Sequence, residues 1–209
     1  MVYYYIIILI IFLVIFRINN SKNLCIIPFQ NYPELNILSI NKLIIIDELL
    51  NVINSDKWTL YDNLHHQSIF KNNDLNNVNI MMKQNYTKLN SSNIPSWKLF
   101  GLIYNKQIYD NNDKSCPSTI KMLLNIPYVI NAGFSCLEAG KITDYHTDNN
   151  SDFYRVQVPL IIPYGKCGFK INDKIFDWSE PFIFNDSCFH QAWNVSNSNR
   201  FVLILDILK

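Results

Sequence analysis

The chain has almost no net charge: 18 lysines and arginines stand against 17 aspartates and glutamates in 209 residues, leaving +1. That balance removes the electrostatic footprint of a nucleic-acid binder. Its five cysteines, Cys25, Cys116, Cys136, Cys167 and Cys188, lie far apart and include no C-x-x-C pair, which argues against a zinc knuckle. An odd number excludes complete internal pairing. Cys136 and Cys188 fall in apolar runs and read as small core residues. A lumenal domain leaves room for one disulfide, but nothing in the sequence names its partners. There is no internal repeat. Histidine is also scarce: His65, His66, His146 and His190 are the only four.

Length suits one domain with a sizeable core plus an appendage. The appendage is residues 2–16, VYYYIIILIIFLVIF, without a charge until Arg17. As a helix this run spans about 22 Å against a hydrocarbon core of about 30 Å. Tyr3, Tyr4 and Tyr5 supply an aromatic belt that helps a short span. No small-residue cleavage site follows it, so the reading is an uncleaved single-pass membrane anchor over residues 1–17. Arg17 and Lys22 lean toward a cytoplasmic C-terminal domain, but two charges leave the orientation open. Sequons at Asn85, Asn90 and Asn194 are what chance supplies in so asparagine-rich a chain.

Residues 18–39 read as linker and 40–127 as a mixed helical and irregular part. An amphipathic helix is expected over 40–54, with Leu43, Ile46, Leu50 and Ile53 on its inner face. Residues 97–109 read as strand, turn at Asn105 and Lys106, and strand. Pro117 opens a short helix that Pro127 ends. From residue 128 onward short apolar runs alternate with turn residues, the pattern of a β-sandwich or barrel. The fold class is therefore mainly β with N-terminal helices.

The chemistry concentrates in that last part. Residues 143–148 read TDYHTD, placing His146 and Asp148 two apart. On a strand they share a face, which makes two thirds of a 2-His-1-carboxylate iron site. The one histidine after Asp148 is His190. His65 and His66 are adjacent and diverge in direction, so they read as surface residues. Arg155 interrupts the apolar run FYRVQVPLII and shares its face with Gln157; an interior guanidinium there needs an anion. Arg200 begins the final apolar run. A three-ligand metal leaves three positions for a chelating 2-oxo acid and O2. Asp144 shares the parity of the motif but reads as a solvated turn carboxylate.

Taken in order, CPSTIKMLLNIP, FSCLEAGKITDYHT, RVQVPLIIP, WSEPFIFNDSCFHQAWN and RFVLILDI resemble the aspartyl/asparaginyl β-hydroxylase family of Fe(II)/2-oxoglutarate oxygenases over about 97–207. The resemblance implies a double-stranded β-helix, a cupin-like jelly-roll barrel, over 128–209. It implies iron held by His146 and His190, with Asp148 completing a triad where some members have glycine and use two histidines. It implies that Ser135 and Arg200 bind the distal carboxylate of 2-oxoglutarate and that Arg155 contacts its other end, with Gln157 where a histidine is common. Asn185 and Gln191 replace a frequent aspartate and glutamate. The implied reaction hydroxylates an unactivated C–H bond with O2. The β-carbon of Asp or Asn in a peptide or protein is the leading substrate and a lipid acyl chain the second. A non-catalytic jelly-roll binding module is the alternative class, and a zinc hydrolase a more distant one.

Overall fold

The computed structural model describes residues 24–60, 96–148, 152–165, 167–176 and 178–209. The hydrophobic N-terminal run, His65, His66 and the sequons at Asn85 and Asn90 lie outside them. Among the described residues no helix is long and apolar enough to cross a membrane.

β-Branched and aromatic runs build two antiparallel sheets. The larger comprises β1 (Ile26–Ile27), β2 (Thr59–Leu60), β3 (Trp97–Tyr104), β4 (Gln107–Ile108), β5 (Val129–Leu137), β6 (Phe153–Ile161), β9 (Phe182–Phe184) and β11 (Arg200–Leu208), ordered β1-β9-β6-β11-β5-β3-β2 with β4 on β3. The smaller comprises β7 (Cys167–Ile171), β8 (Lys174–Phe176) and β10 (His190–Asn194), ordered β10-β7-β8. Its outer edge is extended by the segment before residue 148, which bridges β10 at Ile142–Trp193 and His146–His190. The sheets meet through Leu137, Phe184 and Val202 on one side and Phe169, Ile171 and Ala192 on the other. This is the double-stranded β-helix.

Alternation along the central strands gives the larger sheet two faces. Val156, Val158, Leu203, Leu205 and Phe134 pack under the helices in the main core. Arg155, Gln157, Arg200 and Asp206 take the opposite parity and point toward the smaller sheet, where each is buried. The polar residues of the site thus occupy one side of strands whose other side is wholly apolar.

Three helices cover the apolar face: α1 (Asn36–Ile40), α2 (Lys42–Val52) and α3 (Pro117–Leu124). The single helix expected over 40–54 is broken at Asn41, and its inner face is rotated. Ile45, Leu49 and Val52 are buried, whereas Leu43 is 81% and Leu50 50% exposed. Ile46 and Ile53 pack at the core's margin. The cause is visible in the run LIIIDELL, where apolar residues occupy almost every position and leave the phase to tertiary contacts. Buried Glu48 is explained by α3: its carboxylate accepts the backbone N–H groups of Ser118 and Thr119 at 2.7 and 2.8 Å, satisfying that helix's N-terminus. Pro117 stands in the first turn, as expected.

Other boundaries moved as well. The stretch read as linker is part of the fold from β1 onward, with Leu35 and Leu38 fully buried. β3 belongs to the larger sheet, so the barrel draws strands from before residue 128. The turns hold: Asn105 and Lys106 have φ of 48° and 65° in the β3–β4 hairpin, and Asn172 has 47° between β7 and β8. The sequon asparagine Asn194 is fully buried. Its amide donates to the carbonyls of Leu137 and Ser198 at 2.8 and 2.9 Å, a structural role. Cys136 is a buried free thiol as expected, but Cys188 is not: it is joined to Cys25.

Candidate metal centre

The motif segment is a bridged edge rather than a regular strand, yet it brings its ligands together. His146 and His190 are directly opposed: the N–H of His146 donates to the carbonyl of His190 at 3.1 Å, and the reverse bond is 2.8 Å. Their rings are 4.4 Å apart. Asp148 is delivered to the same place by its backbone N–H, which donates to the carbonyl of Asp186 at 2.9 Å. One ligand atom from each of His146, Asp148 and His190 lies within 4.8 Å of the others.

Both rings are oriented from behind. His146 Nδ1 lies 2.7 Å from the carbonyl of Asp144, and His190 Nδ1 lies 2.9 Å from the carbonyl of Cys188. A carbonyl only accepts, so each ring carries its proton on Nδ1 and turns the Nε2 lone pair inward. His146 Nε2 is 3.9 Å from Asp148 Oδ1. Burial pulls the pKa of His190 down to about 4, keeping that imidazole neutral and its lone pair open to a metal. Asp144 itself is exposed, as its reading as a turn carboxylate requires.

Arg155 sits behind Asp148 within a carboxylate cluster. Its Nε donates to Asp206 Oδ1 at 3.0 Å, Nη2 lies 3.0 Å from Asp186 Oδ2, and Nη1 lies 3.5 Å from Asp148 Oδ2. Register explains the arrangement. Arg155 opposes Asp206 across β6 and β11, and Asp206 opposes Asn131 across β11 and β5. Asn131 Nδ2 donates to Asp206 Oδ2 at 3.0 Å, completing a polar rung across three strands. Burial raises the pKa of Asp186, and the adjacent Arg155 opposes that shift. Much of the Arg155 fork is therefore engaged within the protein. Its Nη1 edge is the one nearest Asp148.

Arg200 is the reverse case. It is 2% exposed, and its guanidinium stacks on Trp178 with Cζ 4.4 Å from the ring centre. Among the described residues no carboxylate pairs with it, and Nε and Nη1 make no hydrogen bond. Burial pulls its pKa down to about 10, so it stays charged at neutral pH. Ser135 shares its face, two positions along β5 from Leu137, the residue opposite Arg200. Ser135 Oγ accepts the indole N–H of Trp97 at 2.8 Å, which leaves its own O–H to donate. Gln157 is buried beside Arg155 on β6, and among the described residues its Oε1 has no hydrogen-bond partner. One cleft of about 320 Å³ is lined by His146, His190, Arg155, Gln157, Arg200 and Trp97.

The described part of the sequence-derived set thus converges, with Ser135 joined to the cleft through Trp97. Asp186 and Asp206 were missed as functional groups. Asp206 had a readable signal, since it shares the parity of Arg200 along RFVLILDIL. Asp186 did not, because a loop places it.

Residues 43–209 match the family model described as aspartyl/asparaginyl β-hydroxylase. The chain belongs to that family. A curated relative, an ornithine lipid ester-linked acyl 2-hydroxylase from Rhizobium tropici, is 32% identical over 100 residues, covering 46% of this chain and 36% of the relative. The chain thus matches about a third of that relative's length. Partial likeness to solved structures includes an oxidoreductase of the 2OG-Fe(II) oxygenase family from Burkholderia pseudomallei, with a TM-score of 0.40, 8% identity, and 54% and 66% of the two chains covered. The Schizosaccharomyces pombe Cnp3 cupin domain gives a TM-score of 0.37 at 14% identity, covering 58% and 72%. In this member of the aspartyl/asparaginyl β-hydroxylase family, a His-Asp-His set lies in one cleft with a buried arginine that no carboxylate pairs among the described residues.

Proposed function

We propose that this chain is an Fe(II)/2-oxoglutarate-dependent hydroxylase. The observation that carries the reading is the pairing of a three-ligand cluster with Arg200, a buried cation lacking a described carboxylate. Two imidazoles and a carboxylate suit Fe(II) and leave positions for a chelating co-substrate and O2. His146, Asp148 and His190 would hold the iron. Arg200, with the Ser135 hydroxyl, would bind the distal carboxylate of 2-oxoglutarate. Gln157 and the Nη1 edge of Arg155 would meet its other end. With Fe(II), 2-oxoglutarate and O2 bound, the centre supplies the oxidising power to hydroxylate an unactivated C–H bond. The protein fixes both histidine tautomers, holds Asp148 against Arg155, and excludes water through Phe169, Phe184 and Trp97 around the cleft.

For the substrate, a lipid acyl chain is the reading favoured by a specific feature. A second, mostly apolar groove shares Trp97, Arg155 and Ile204 with the cleft and is lined by Leu99, Ile103, Tyr109 and Ala132. Such a wall suits methylenes, and the curated relative acts on an ester-linked acyl chain. The β-carbon of Asp or Asn in a peptide is the second reading, supported by the family description. An N-terminal membrane anchor over 1–17 would suit a lipid substrate.

The test is anaerobic titration of the full chain with Fe(II) and 2-oxoglutarate, followed by succinate release on adding O2 with either ester-linked acyl lipids or Asp/Asn peptides. Binding of both cofactors with succinate release dependent on the lipid is expected. Peptide-dependent release would replace the substrate reading. Failure to bind 2-oxoglutarate would favour a non-catalytic jelly-roll module.

A further inference from the structure

The loop between β9 and β10 does more than connect two strands. It presents Asp186 to Arg155, delivers His190, and supplies through Cys188 the carbonyl that orients the His190 ring. One of its hydrogen bonds is long-range, from the N–H of Asp148 to the carbonyl of Asp186 at 2.9 Å, and two are local. The N–H of Cys188 donates to the carbonyl of Asn185 at 2.9 Å, and that of Ser187 to Asn185 Oδ1 at 3.3 Å. One tie reaches across to β7–β8, where the N–H of Asn172 donates to the carbonyl of Phe189 at 2.8 Å.

The strongest restraint comes from the other end of the chain. Cys188 is covalently bonded to Cys25, 163 residues earlier. The same N-terminal segment grips the start of the loop: the N–H of Asn185 donates to the carbonyl of Cys25 at 2.9 Å, and Ile26 and Ile27 pair with Phe184 and Ile183. The loop is thus clasped at Asn185 and at Cys188, with Asp186 between the clasps and His190 two residues beyond. β1 has only two residues. Without the covalent link, a two-residue edge pairing is weak restraint for a metal-bearing loop.

We propose that the Cys25–Cys188 disulfide is a positioning element of the metal centre, setting the Cys188 carbonyl against His190 Nδ1 so that metal retention is thiol-sensitive; the proposal rests on the metal-centre reading above. Opening the bond takes two electrons and two protons. One thiolate of a dithiol reductant attacks one sulfur and releases the other cysteine. The second thiol then resolves the mixed disulfide, leaving Cys25 and Cys188 as thiols and the reductant as a cyclic disulfide. The start of the loop then keeps its bonds to Cys25 and Asp148, but Cys188 loses its fixed distance to the N-terminal segment, and the carbonyl behind His190 is free to shift. Outer hydrogen-bond partners of metal ligands are worth 10- to 100-fold in affinity.

The experiment uses the full chain and Co(II) as a spectroscopic probe under nitrogen. Its dissociation constant and ligand-field absorption are read before and after treatment with a dithiol, with thiol alkylation and mass measurement to establish that the bond has opened. Circular dichroism reports whether the fold persists. About a tenfold or greater weakening, with an altered absorption band and retained circular dichroism, is expected. The Cys25→Ser/Cys188→Ser double variant should reproduce it. A core variant of matched loss in melting temperature, Leu49→Ala, should leave the Co(II) constant unchanged, which separates positioning from general destabilisation. If the reduced, folded protein binds Co(II) as the oxidised protein does, the bond only braces the fold and the proposal is overturned. If Cys25 and Cys188 are found as free thiols after expression in an oxidising compartment, it is also overturned. If the oxidised protein binds no Co(II), the metal-centre reading itself fails and takes the proposal with it.

Discussion

Arg155 and Arg200 stand on the same face of the larger sheet, on strands hydrogen-bonded to one another, and both are almost fully buried. Their surroundings are opposite. Arg155 has Asp206 and Asp186 at 3.0 Å and Asp148 at 3.5 Å. Arg200 has the face of Trp178 and no described carboxylate. Desolvating a guanidinium is costly, and a fold keeps one only where something compensates. For Arg155 the compensation is internal, so much of its work is structural: it braces Asp148, Asp186 and Asp206 against one another. For Arg200 no compensating carboxylate is found among the described residues, so an external anion is the natural partner. Residue type alone does not separate a brace from a receptor; the carboxylates around it do.

The comparison breaks most readily at Arg155. Arg155→Met would leave two or three buried carboxylates facing one another. We expect a loss of about 3–5 kcal/mol of folding stability, the range for stripping a buried ion pair of one partner. Urea denaturation measures it, and a loss below about 1 kcal/mol would mean that the cluster is better hydrated than its burial implies. Arg200→Met should do the opposite. It removes a charge that no described carboxylate compensates, so stability should hold or rise, while 2-oxoglutarate affinity falls by about 2–5 kcal/mol, on the order of 30-fold or more. Paired calorimetric titration and thermal melts test both halves. A variant that is destabilised but binds 2-oxoglutarate normally would exchange the two roles.

The difference between the arginines also shows where sequence reasoning reaches its end. Strand parity is local, so the alternation in FYRVQVPLII placed Arg155 and Gln157 on a common face without any structure, whereas Arg200 joins that face only through the pairing of β11 with β6. Turn chemistry is local too, and Asn105 and Lys106 fell where their positive φ is needed. What Arg155 touches is not local. It depends on the register that sets residue 155 against residue 206 and on a loop that returns Asp186 to the site. The Cys25–Cys188 bond likewise joins residues 163 positions apart, and no spacing rule identifies it. The phase of α2 was lost for another reason: a helix apolar on most sides has no preferred inner face until the sheet supplies one.

Asp186→Asn probes the border between the two roles. It keeps the shape of the side chain but withdraws one charge from Arg155, leaving that guanidinium to lean on Asp148 and Asp206. Asp148 is then drawn toward Arg155 and away from the histidines. We expect metal affinity to fall about tenfold, as for other outer partners of a ligand, with a smaller loss of stability than in Arg155→Met. Co(II) titration checks it, and unchanged affinity would show that Asp148 is held by its backbone bond to the Asp186 carbonyl alone.

The smallest effect should come from Gln157, which lies next to the brace but resembles the receptor. It is buried on the face of Arg155, yet among the described residues its Oε1 has no hydrogen-bond partner. An unsatisfied buried carbonyl costs about 1–3 kcal/mol, so a group of that kind destabilises the empty protein and is repaid only when a ligand arrives. Gln157→Leu preserves much of the volume and removes the polar atoms. The ligand-free protein should therefore gain slightly in melting temperature. Binding of 2-oxoglutarate should weaken by about 1 kcal/mol, roughly fivefold, the worth of one neutral hydrogen bond. Stability and affinity would then move in opposite directions, as for Arg200→Met but on a smaller scale. If both fall together, Gln157 is part of the Arg155 framework, and the border between brace and receptor runs along β11 rather than through β6.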